Sequence, residues 1–338
     1  MKKLINSNEK FFIAGANGMA GKAIYKKLKE NNYGDIKNNG EIFTPNRKQL
    51  DLLDFVAVQK WFAENKPTVV IIAAAKVGGI IANTKSPADF LLDNLKMQSN
   101  LFEAAKNFKV KRLMFLGSSC IYPKYCKQPI KEDYLLSGEL EPTNQWYAIA
   151  KIAGLKLCEA LRVQYNIDTL SLMPTNLYGP GDNYHLTNSH VLPALIRRFY
   201  EAKINSQKEV LCWGSGSPLR EFMHVDDLAE AVLFCLEKWN PENEIDTILA
   251  NGEKLNFLNI GTGEEISIKS LAKKIALEIG YQGKIKWDPN KPDGTPRKLL
   301  DIERIKKIGW KPKILLKDGL KRTVDDFIKN YKKNNLKL

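Results

Sequence analysis

The sequence is poor in the side chains that build metal centres and disulfide frameworks. Its 338 residues include 3 His and 5 Cys, and no two cysteines have C-x-x-C spacing. Structural zinc sites take about four such ligands, and disulfide frameworks need paired cysteines, usually in short secreted chains. We therefore expect no metal and reduced thiols, as in a cytoplasmic protein.

Long hydrophobic runs are also absent. The longest aliphatic run covers residues 69–75, whereas a membrane-spanning helix needs about 20 apolar residues. The basic start, Met1-Lys2-Lys3, is followed by polar residues at 6–10, which interrupt the apolar part that a signal peptide requires. We expect no membrane partner and a cytoplasmic location.

Acidic residues are outnumbered: 52 Lys+Arg stand against 38 Asp+Glu, giving a net charge of +14. Such an excess favours anionic partners, and nucleic acid is one, because bound cations release counterions from its phosphates. From residue 281 onward there are 17 basic and 7 acidic residues, but they are scattered, which is typical of a solvated surface. We expect no nucleic-acid partner. A catalytically silent fold that binds nucleic acid through this region is the alternative from another class.

Short aliphatic strands alternate with amphipathic helical segments through the first half of the chain. Strands are predicted at 11–14, 41–44, 68–73, 112–116 and 169–173, with helices between them, including 91–107 and 147–165. This alternation predicts an α/β fold, a Rossmann-type doubly wound parallel sheet.

After residue 174 the chain becomes rich in Pro/Gly loops, and a late strand at 258–260 predicts a return to the first sheet. We expect a dinucleotide-binding domain at 1–175, with later segments at about 222–262 returning to it. Residues 176–338 then form mainly a smaller α/β substrate-binding region.

Gly15, Gly18 and Gly21 form a G-x-x-G-x-x-G loop between the first predicted strand and the first predicted helix. Glycine is needed where the chain turns tightly and approaches a pyrophosphate, and a helix N-terminus attracts the anion. An ordinary Gly-rich turn is the alternative, but the placement after the first strand favours a dinucleotide.

The second strand leads into residues 44–48, where no carboxylate is present to hold the ribose 2′-hydroxyl of NAD. Asp35 lies in a polar loop before that strand. Arg47, with Lys48 beside it, suits the 2′-phosphate of NADP instead. NADP(H) is therefore the predicted cofactor, unless Arg47 is only a solvated loop residue.

Tyr147 and Lys151 are four residues apart in a predicted helix, so their side chains share one face. An ammonium there is expected to lower the pKa of the phenol toward the range of a general acid. Ser118 and Ser119, at the end of the fourth strand, place hydroxyls where a substrate carbonyl would be polarised.

These residues resemble those of the extended short-chain dehydrogenase/reductases, and within them the GDP-L-fucose synthase family. The resemblance spans nearly the whole chain, through residues 73–80 (AAAKVGGI), 116–123 (LGSSCIYP), 173–180 (MPTNLYGP), 188–191 (NSHV), 220–227 (REFMHVDD) and 291–298 (KPDGTPRK). It implies NADPH-dependent 3,5-epimerisation and 4-keto reduction of GDP-4-keto-6-deoxy-D-mannose to GDP-L-fucose, by a homodimer.

The resemblance also implies roles for particular residues. Those expected to hold NADP(H) are Gly15, Ala16, Asn17, Gly18, Met19, Ala20, Gly21, Arg47, Leu116, Gly117, Ser118, Ser119, Tyr147, Lys151, Pro174, Thr175, Asn176, Leu177 and His190. Those expected to contact the GDP-sugar are Arg198, Trp213, Arg220 and Asp293. His224 is expected to serve structure within its loop.

Epimerisation needs a base and an acid, because the C4 ketone acidifies the hydrogens on C3 and C5. By the resemblance Cys120 is the base, its pKa lowered by neighbouring cations, and His190 is the acid. If the fourth strand continues through residue 120, Cys120 and Ser118 face one cavity. The alternatives are a small buried side chain for Cys120 and a helix cap for His190.

Two departures from the family pattern leave other substrates open. Ala16-Asn17 stands where the family often has His-Arg, and Trp146 stands where a smaller residue is usual. A 4-reductase that acts on a modified GDP-4-keto sugar, such as a heptose, without epimerisation is therefore the alternative. An NAD-dependent nucleotide-sugar 4-epimerase is a third possibility.

Overall fold

The computed structural model describes residues 3–186, 188–242, 248, 252, 254–291 and 293–336. The strands are β1 (Lys10–Ala14), β2 (Glu41–Phe43), β3 (Val69–Ile72), β4 (Arg112–Leu116), β5 (Asp168–Pro174), β6 (Asn176–Tyr178), β7 (Glu209–Trp213), β8 (Leu219–His224), β9 (Phe257–Ile260), β10 (Glu265–Ser267), β11 (Lys284–Asp288) and β12 (Arg297–Lys298).

The helices follow the strands closely in the first half of the chain. They are α1 (Met19–Glu30), α2 (Phe55–Asn65), α3 (Ile80–Lys85), α4 (Pro87–Asn107), α5 (Gln145–Tyr165), α6 (Val191–Ile204), α7 (Val225–Lys238), α8 (Ile268–Ile279), α9 (Glu303–Ile308) and α10 (Leu316–Lys332). Short 3₁₀ turns span Ile36–Asn38, Ser119–Ile121 and Glu132–Tyr134. Among the described residues, no helix combines the length and apolar character needed to cross a membrane.

One parallel sheet has the strand order β2-β1-β3-β4-β5-β9. Successive side chains of β1 enter different cores: Phe11 and Ile13 pack toward α1 and α7, while Phe12 and Ala14 pack toward α2. Both faces of the sheet are therefore covered, as expected for a parallel sheet. The predicted Rossmann-type fold is confirmed, and the late strand β9 pairs with β5 in this sheet.

A second region is built around β8. This strand pairs with β10, β12 and β6, while β7 pairs with β11. Helices α6, α8 and α10 pack around a separate core that includes Phe199, Ile275 and Phe327. Because β6 follows β5 directly, this region begins at the carboxyl end of the first sheet.

The order of the strands fixes where a ligand would bind. From β1 the chain moves to one side of the sheet to form β2, and it then crosses to the other side to form β3. In open α/β sheets, ligands bind at the carboxyl ends of the strands where the order reverses in this way. The glycine loop after β1 and the loop after β3 lie at this point.

Candidate active site

The glycine loop after β1 is a compact turn that opens α1. Gly15 has φ of +87°, and a Cβ on it would lie 2.6 Å from the backbone nitrogen of Ala74. A Cβ on Gly21 would overlap the carbonyl of Gly15. Gly18 is the N-cap of α1, and no side chain caps the helix there. The loop therefore fits the pyrophosphate of a dinucleotide, whose oxygens accept from backbone N–H groups at such a terminus.

Arg47 lies in the turn that follows β2, beside the glycine loop in the sheet order. Its guanidinium is exposed, and its ion pair with Asp51 is long, at 3.8 Å. Asp35 caps the turn Ile36–Asn38 by accepting from the backbone N–H of Lys37 at 3.0 Å, so its carboxylate serves local structure. The geometry leaves Arg47 able to pair with a phosphate at the end of β2.

The segment after β4 differs from the strand expected there. β4 ends at Leu116, and Ser119–Ile121 forms a 3₁₀ turn that Ser118 caps, its Oγ accepting from the backbone N–H of Cys120 at 3.3 Å. The premise that strand alternation directs Ser118 and Cys120 into one cavity is therefore wrong. The turn itself places the two side chains together, and Cys120 is only 8% exposed.

A buried polar network holds the residues that follow this turn. The hydroxyl of Tyr122 donates to Oδ1 of Asn259 at 2.5 Å, and the backbone N–H of Asn259 donates to Glu132 at 2.9 Å. Arg304 closes the network with a 2.8 Å ion pair to Glu132. Because Tyr122 and Glu132 are both buried, the network fixes the loop that carries Cys120.

Tyr147 and Lys151 lie one turn apart on α5, as predicted. Lys151 is buried, and its Nζ donates to the carbonyl oxygen of Leu116 at 2.7 Å. Its ammonium lies 5.7 Å from the centre of the Tyr147 ring. Burial lowers the pKa of Lys151 to about 8, so the group titrates near physiological pH.

The expected lowering of the phenol pKa is not found. Burial raises the pKa of Tyr147, and the nearby Cys120 raises it further. The ammonium of Lys151 is directed at the end of β4 and not at the phenol oxygen. Tyr147 therefore remains protonated across the physiological range, which suits an acid that gives up a proton only to a strong base.

Lys298 is a part of the site that sequence reasoning did not single out. It lies on β12 in parallel register with Arg220 of β8, and burial lowers its pKa. Its ammonium interacts electrostatically with the thiol of Cys120 and the carboxylate of Glu141. Its place in the quoted segment 291–298 was visible in the sequence, but the pairing of β12 with β8 was not.

Burial and this cation act on Cys120 in opposite directions. Burial raises the pKa of the Cys120 thiol, while Lys298, the hydrogen bond with Ser118, and Lys151 lower it. Burial is the largest of these effects, so the net pKa is raised. The expectation that nearby cations bring it below its usual range is therefore wrong for this structure.

His190 precedes α6 without capping it. It is the N-cap residue by position, but its side chain makes no capping hydrogen bond, so the helix-cap alternative fails. The segment meets the loop after β3, where the backbone N–H of Gly79 donates to the carbonyl of Asn188 at 3.2 Å. The residue is exposed, but partial loss of water around its imidazole lowers the pKa of His190, and Lys298 lowers it further. Its imidazole is therefore mainly neutral at pH 7, unlike the protonated acid expected.

The end of β5 is tied to the second region. Thr175 donates its hydroxyl to the carbonyl of Glu221 at 3.2 Å, and the side-chain amide of Asn176 donates to the same carbonyl at 2.8 Å. Pro174 ends β5 and Leu177 lies within β6. The residues expected at the nicotinamide end thus sit at the junction of the two regions.

Trp213, one of the residues expected to contact the sugar nucleotide, is 43% exposed. The guanidinium of Arg198 and the ammonium of Lys291 each lie 5.7 Å from the Trp213 ring centre. Lys291 was not predicted. The ring quadrupole attracts both cations and holds them beside this exposed face.

Asp293 holds the neighbouring loop in place. Its carboxylate accepts from the backbone N–H and the hydroxyl of Ser215 at 2.8 and 2.7 Å. Its backbone carbonyl accepts from Arg220 at 3.3 Å. Asp293 thus positions Arg220 through its backbone carbonyl. Pro292 of the quoted motif lies outside the described residues.

The other four cysteines and His224 lie among packing and capping contacts. All five cysteines are free, with Cys158, Cys212 and Cys235 buried and Cys126 half-buried. His224 is fully buried and caps α7 by accepting from the backbone N–H of Asp226 at 3.2 Å.

Comparison with known proteins gives a consistent result. Residues 11–248 match the NAD dependent epimerase/dehydratase family. GDP-L-fucose synthase 1 of Arabidopsis thaliana is 49% identical over 98% of this chain and 96% of that protein. A GDP-6-OMe-4-keto-L-xylo-heptose reductase from C. jejuni has a TM-score of 0.87 at 34% identity, covering 98% of this chain and 99% of that one. A GDP-L-fucose synthetase from Naegleria fowleri, solved with NADP, has a TM-score of 0.84 at 26% identity, covering 98% of each chain.

The balance of burial and charge at Cys120 can be measured directly. We expect the pKa of its thiol to lie above that of an exposed cysteine, and Lys298→Met to raise it further by removing a cation. The ultraviolet absorbance of thiolate, followed against pH as a difference from the matching Cys120→Ser protein, isolates this one thiol. Lys127→Met, which removes an exposed lysine beside Cys126, is the control and should leave the midpoint unchanged. An unchanged midpoint in Lys298→Met would show that the two charges do not interact.

Proposed function

The chain belongs to the NAD dependent epimerase/dehydratase family, and on that basis we propose that it converts GDP-4-keto-6-deoxy-D-mannose into GDP-L-fucose. It is an NADP-dependent enzyme that inverts C3 and C5 and then reduces the C4 ketone. The observation that carries this proposal is that the charge of Lys298 acts on both Cys120 and His190, while Ser118 and the Lys151 ammonium lie at the end of β4 and Tyr147 lies one turn from Lys151. The curated relative at 49% identity supports it.

In the inversion steps Cys120 is the base and His190 is the acid. At rest the thiol holds its proton and the imidazole is neutral, because loss of hydration raises the pKa of Cys120 and lowers that of His190. Loss of the proton from Sγ and gain of a proton by the imidazole produce both reactive forms without changing the net charge of the two groups. The thiolate then removes the hydrogen from C3 or C5, and the imidazolium returns a proton to the opposite face. Lys298 favours the thiolate electrostatically.

In the reduction step Tyr147 is the acid and Ser118 orients the carbonyl. When bound, NADPH supplies the hydride that reduces C4. The hydroxyl of Ser118 donates to the carbonyl oxygen, and Tyr147 protonates that oxygen as it becomes an alkoxide. An alkoxide is a far stronger base than a phenolate, so the raised pKa of Tyr147 still permits this transfer. Lys151 holds α5 against the end of β4 and presents positive charge beside the phenol.

The glycine loop and the ends of β2, β4 and β5 are proposed to hold the cofactor. Gly15 to Gly21 take the pyrophosphate, and Arg47 takes the 2′-phosphate. Leu116 to Ser119 and Pro174 to Leu177 take the nicotinamide end, with His190 beside it. Residues 1–175, with the segments returning at about 222–262, are thus assigned to NADP(H).

The GDP-sugar is proposed to occupy the side of the cleft formed by 176–338. Trp213 offers an aromatic face for the base, while Arg198 and Arg220 pair with the diphosphate. Asp293 accepts from a ribose hydroxyl or holds Arg220 through its carbonyl. Cations concentrated in this cleft account for part of the net charge of +14.

A second candidate is a 4-reductase that acts on a GDP-4-keto-heptose without inversion. The TM-score of 0.87 to a heptose reductase favours it, but the identity is 34%, against 49% for the curated relative. Trp146, which stands where the family usually has a smaller residue, is 37% exposed. Cys120 and His190 remain the discriminating residues, because simple reduction has no need of them.

We also propose that the enzyme works in the cytoplasm as a homodimer. The cysteines are free, which suits a reducing compartment, and recovery from a secreted fraction would contradict this location.

For the dimer, α4 and α5 pack side by side and expose apolar side chains at Leu92, Trp146, Ile149 and Val163. A second copy related by a two-fold axis would cover this face.

The reaction is tested with GDP-4-keto-6-deoxy-D-mannose and NADPH in deuterated water. We expect GDP-L-fucose carrying solvent deuterium at C3 and C5, as read by NMR. A 4-reduced product without deuterium at those carbons would establish the second candidate. Cys120→Ser should slow deuterium incorporation at least about tenfold more than hydride transfer, because only the inversion needs the thiolate. Cys126→Ser, a half-buried neighbour, is the control. Equal losses in both steps would contradict the role of Cys120.

The preference for NADPH is tested at Arg47. Arg47→Glu should raise the KM for NADPH about tenfold or more, roughly the 1.4 kcal/mol expected when one charge-assisted hydrogen bond is removed. The KM for NADH should change little, because NADH has no 2′-phosphate. Lys60→Glu reverses an exposed charge on α2 and is the control. A parallel loss for both cofactors would show that Arg47 does not contact the 2′-phosphate.

The dimer is tested by sedimentation equilibrium. The chain of 38.3 kDa should sediment at about twice that mass, and Ile149→Lys should favour monomers by placing a charge in the apolar interface. Leu277→Lys changes an equally apolar exposed residue on α8 and should remain dimeric. A monomeric native protein would exclude the proposal.

A further inference from the structure

Glu221 is a fully buried carboxylate in the middle of β8. Its Oε1 accepts from the backbone N–H groups of Thr262 and Gly263 at 2.6 and 2.8 Å, and its Oε2 accepts from that of Leu300 at 3.0 Å. A Cβ on Gly261 would overlap this carboxylate, so the loop after β9 closes tightly on it. A buried charge is tolerated when its oxygens accept several hydrogen bonds in this way.

The contacts of Glu221 join three segments that reach the active site. Its carboxylate holds Leu300, two residues after Lys298, and the loop after β9. Its own backbone carbonyl accepts from Thr175 and Asn176 at the end of β5. Arg220, its neighbour in sequence, pairs in register with Lys298. One residue therefore connects the cofactor end of the first sheet with the strand that carries Lys298.

We propose that Glu221 is a positioning residue for the inversion steps, because it helps to hold β12, the strand from which the charge of Lys298 acts on Cys120. β12 consists of Arg297 and Lys298 alone and pairs with β8 through those two residues. So short a strand has few ladder hydrogen bonds of its own. The bond from Leu300 to Glu221 extends its attachment to β8, in addition to the bonds that Leu299 and Asp301 make with Gln128 and Ile130 on the other side. This inference rests on the proposed function, since it concerns the proton transfers at C3 and C5.

Glu221→Gln keeps the size of the side chain but removes its charge and one of its two acceptor oxygens. Glutamine has one carbonyl oxygen and one NH₂, and an NH₂ cannot accept from a backbone N–H. The oxygen is best placed where two N–H groups converge, at Thr262 and Gly263. The NH₂ then faces the N–H of Leu300, so the substitution breaks one of the hydrogen bonds that hold the segment after β12.

The test compares proton exchange with reduction in the full-length enzyme. Exchange of C3 and C5 hydrogens of GDP-4-keto-6-deoxy-D-mannose with deuterated water is followed with NADP⁺ present, so that reduction cannot occur. Hydride transfer is followed separately with NADPH. In Glu221→Gln we expect exchange to fall at least about tenfold and the KM for NADPH to stay within about twofold, because the carbonyl that binds Thr175 and Asn176 is unchanged.

The pH profile of exchange distinguishes positioning from a merely structural role. The titratable and charged groups that face Cys120 are Lys298, Lys151 and Tyr147. Moving Lys298 away removes a cation, so the profile should move to higher pH in Glu221→Gln. In a Lys298→Met background the same substitution should have little further effect.

The control is Glu265→Gln. Glu265 is the cross-strand partner of Glu221 and pairs with Arg297 of the same short strand at 2.8 Å, but it accepts at the exposed surface. Its pH profile should match that of the native enzyme. Equal losses of exchange and reduction in Glu221→Gln, without a displaced profile, would overturn the proposal.

A variant that does not fold and a native enzyme without exchange lead to different conclusions. Should Glu221→Gln fail to fold by circular dichroism, Glu221→Asp replaces it, because the shorter side chain keeps the charge but draws the carboxylate back from Leu300. The same displaced profile is expected, and an unchanged one would overturn the proposal. A native enzyme that shows no exchange would instead contradict the proposed inversion itself.

Discussion

The hydrogen bond from Lys151 to the carbonyl oxygen of Leu116 is the contact on which the site depends. At 2.7 Å it ties α5 to the last residue of β4, and the ammonium rests 4.7 Å from the Phe115 ring centre. A charge in such apolar surroundings is costly, as the lowered pKa shows, so it is held only where an acceptor meets it. The bond therefore sets the relative position of Tyr147 on the helix and Ser118 just past the strand.

From that fixed point, the protonation states follow from a competition between burial and nearby charge. Loss of hydration favours the neutral forms of Cys120, Tyr147 and His190. Lys298 favours the thiolate but disfavours the imidazolium. The resting site is consequently close to neutral apart from its two lysines. An anionic diphosphate bound beside Arg220 and Lys298 would reduce their positive field, so substrate binding and proton affinity are coupled.

The sequence predicted what depends on local pattern. The strands β1, β4 and β5, the glycine loop and the helix carrying Tyr147 and Lys151 are all where periodicity and spacing placed them. The errors arose where tertiary contacts decide. β4 ends at Leu116 because Ser118 caps a turn, which alternation cannot reveal. The raised pKa of Tyr147 depends on burial. Lys298 and Glu221 gain their positions from the pairing of β8 with β12, strands far apart in sequence.

The positive charges of the chain differ in how strongly water screens them. Lys306 and Lys313, in the basic C-terminal part, pair with Glu303 and Glu230 at the surface, where water and salt screen such charges. Arg220 and Lys298 are half-buried, and partial burial lowers the pKa of each. A cation that is already partly desolvated loses less hydration when it meets a phosphate, so Arg220 and Lys298 would bind an anion at a smaller desolvation cost than an exposed lysine. The position of the cations, and not only their number, therefore matters for anion binding.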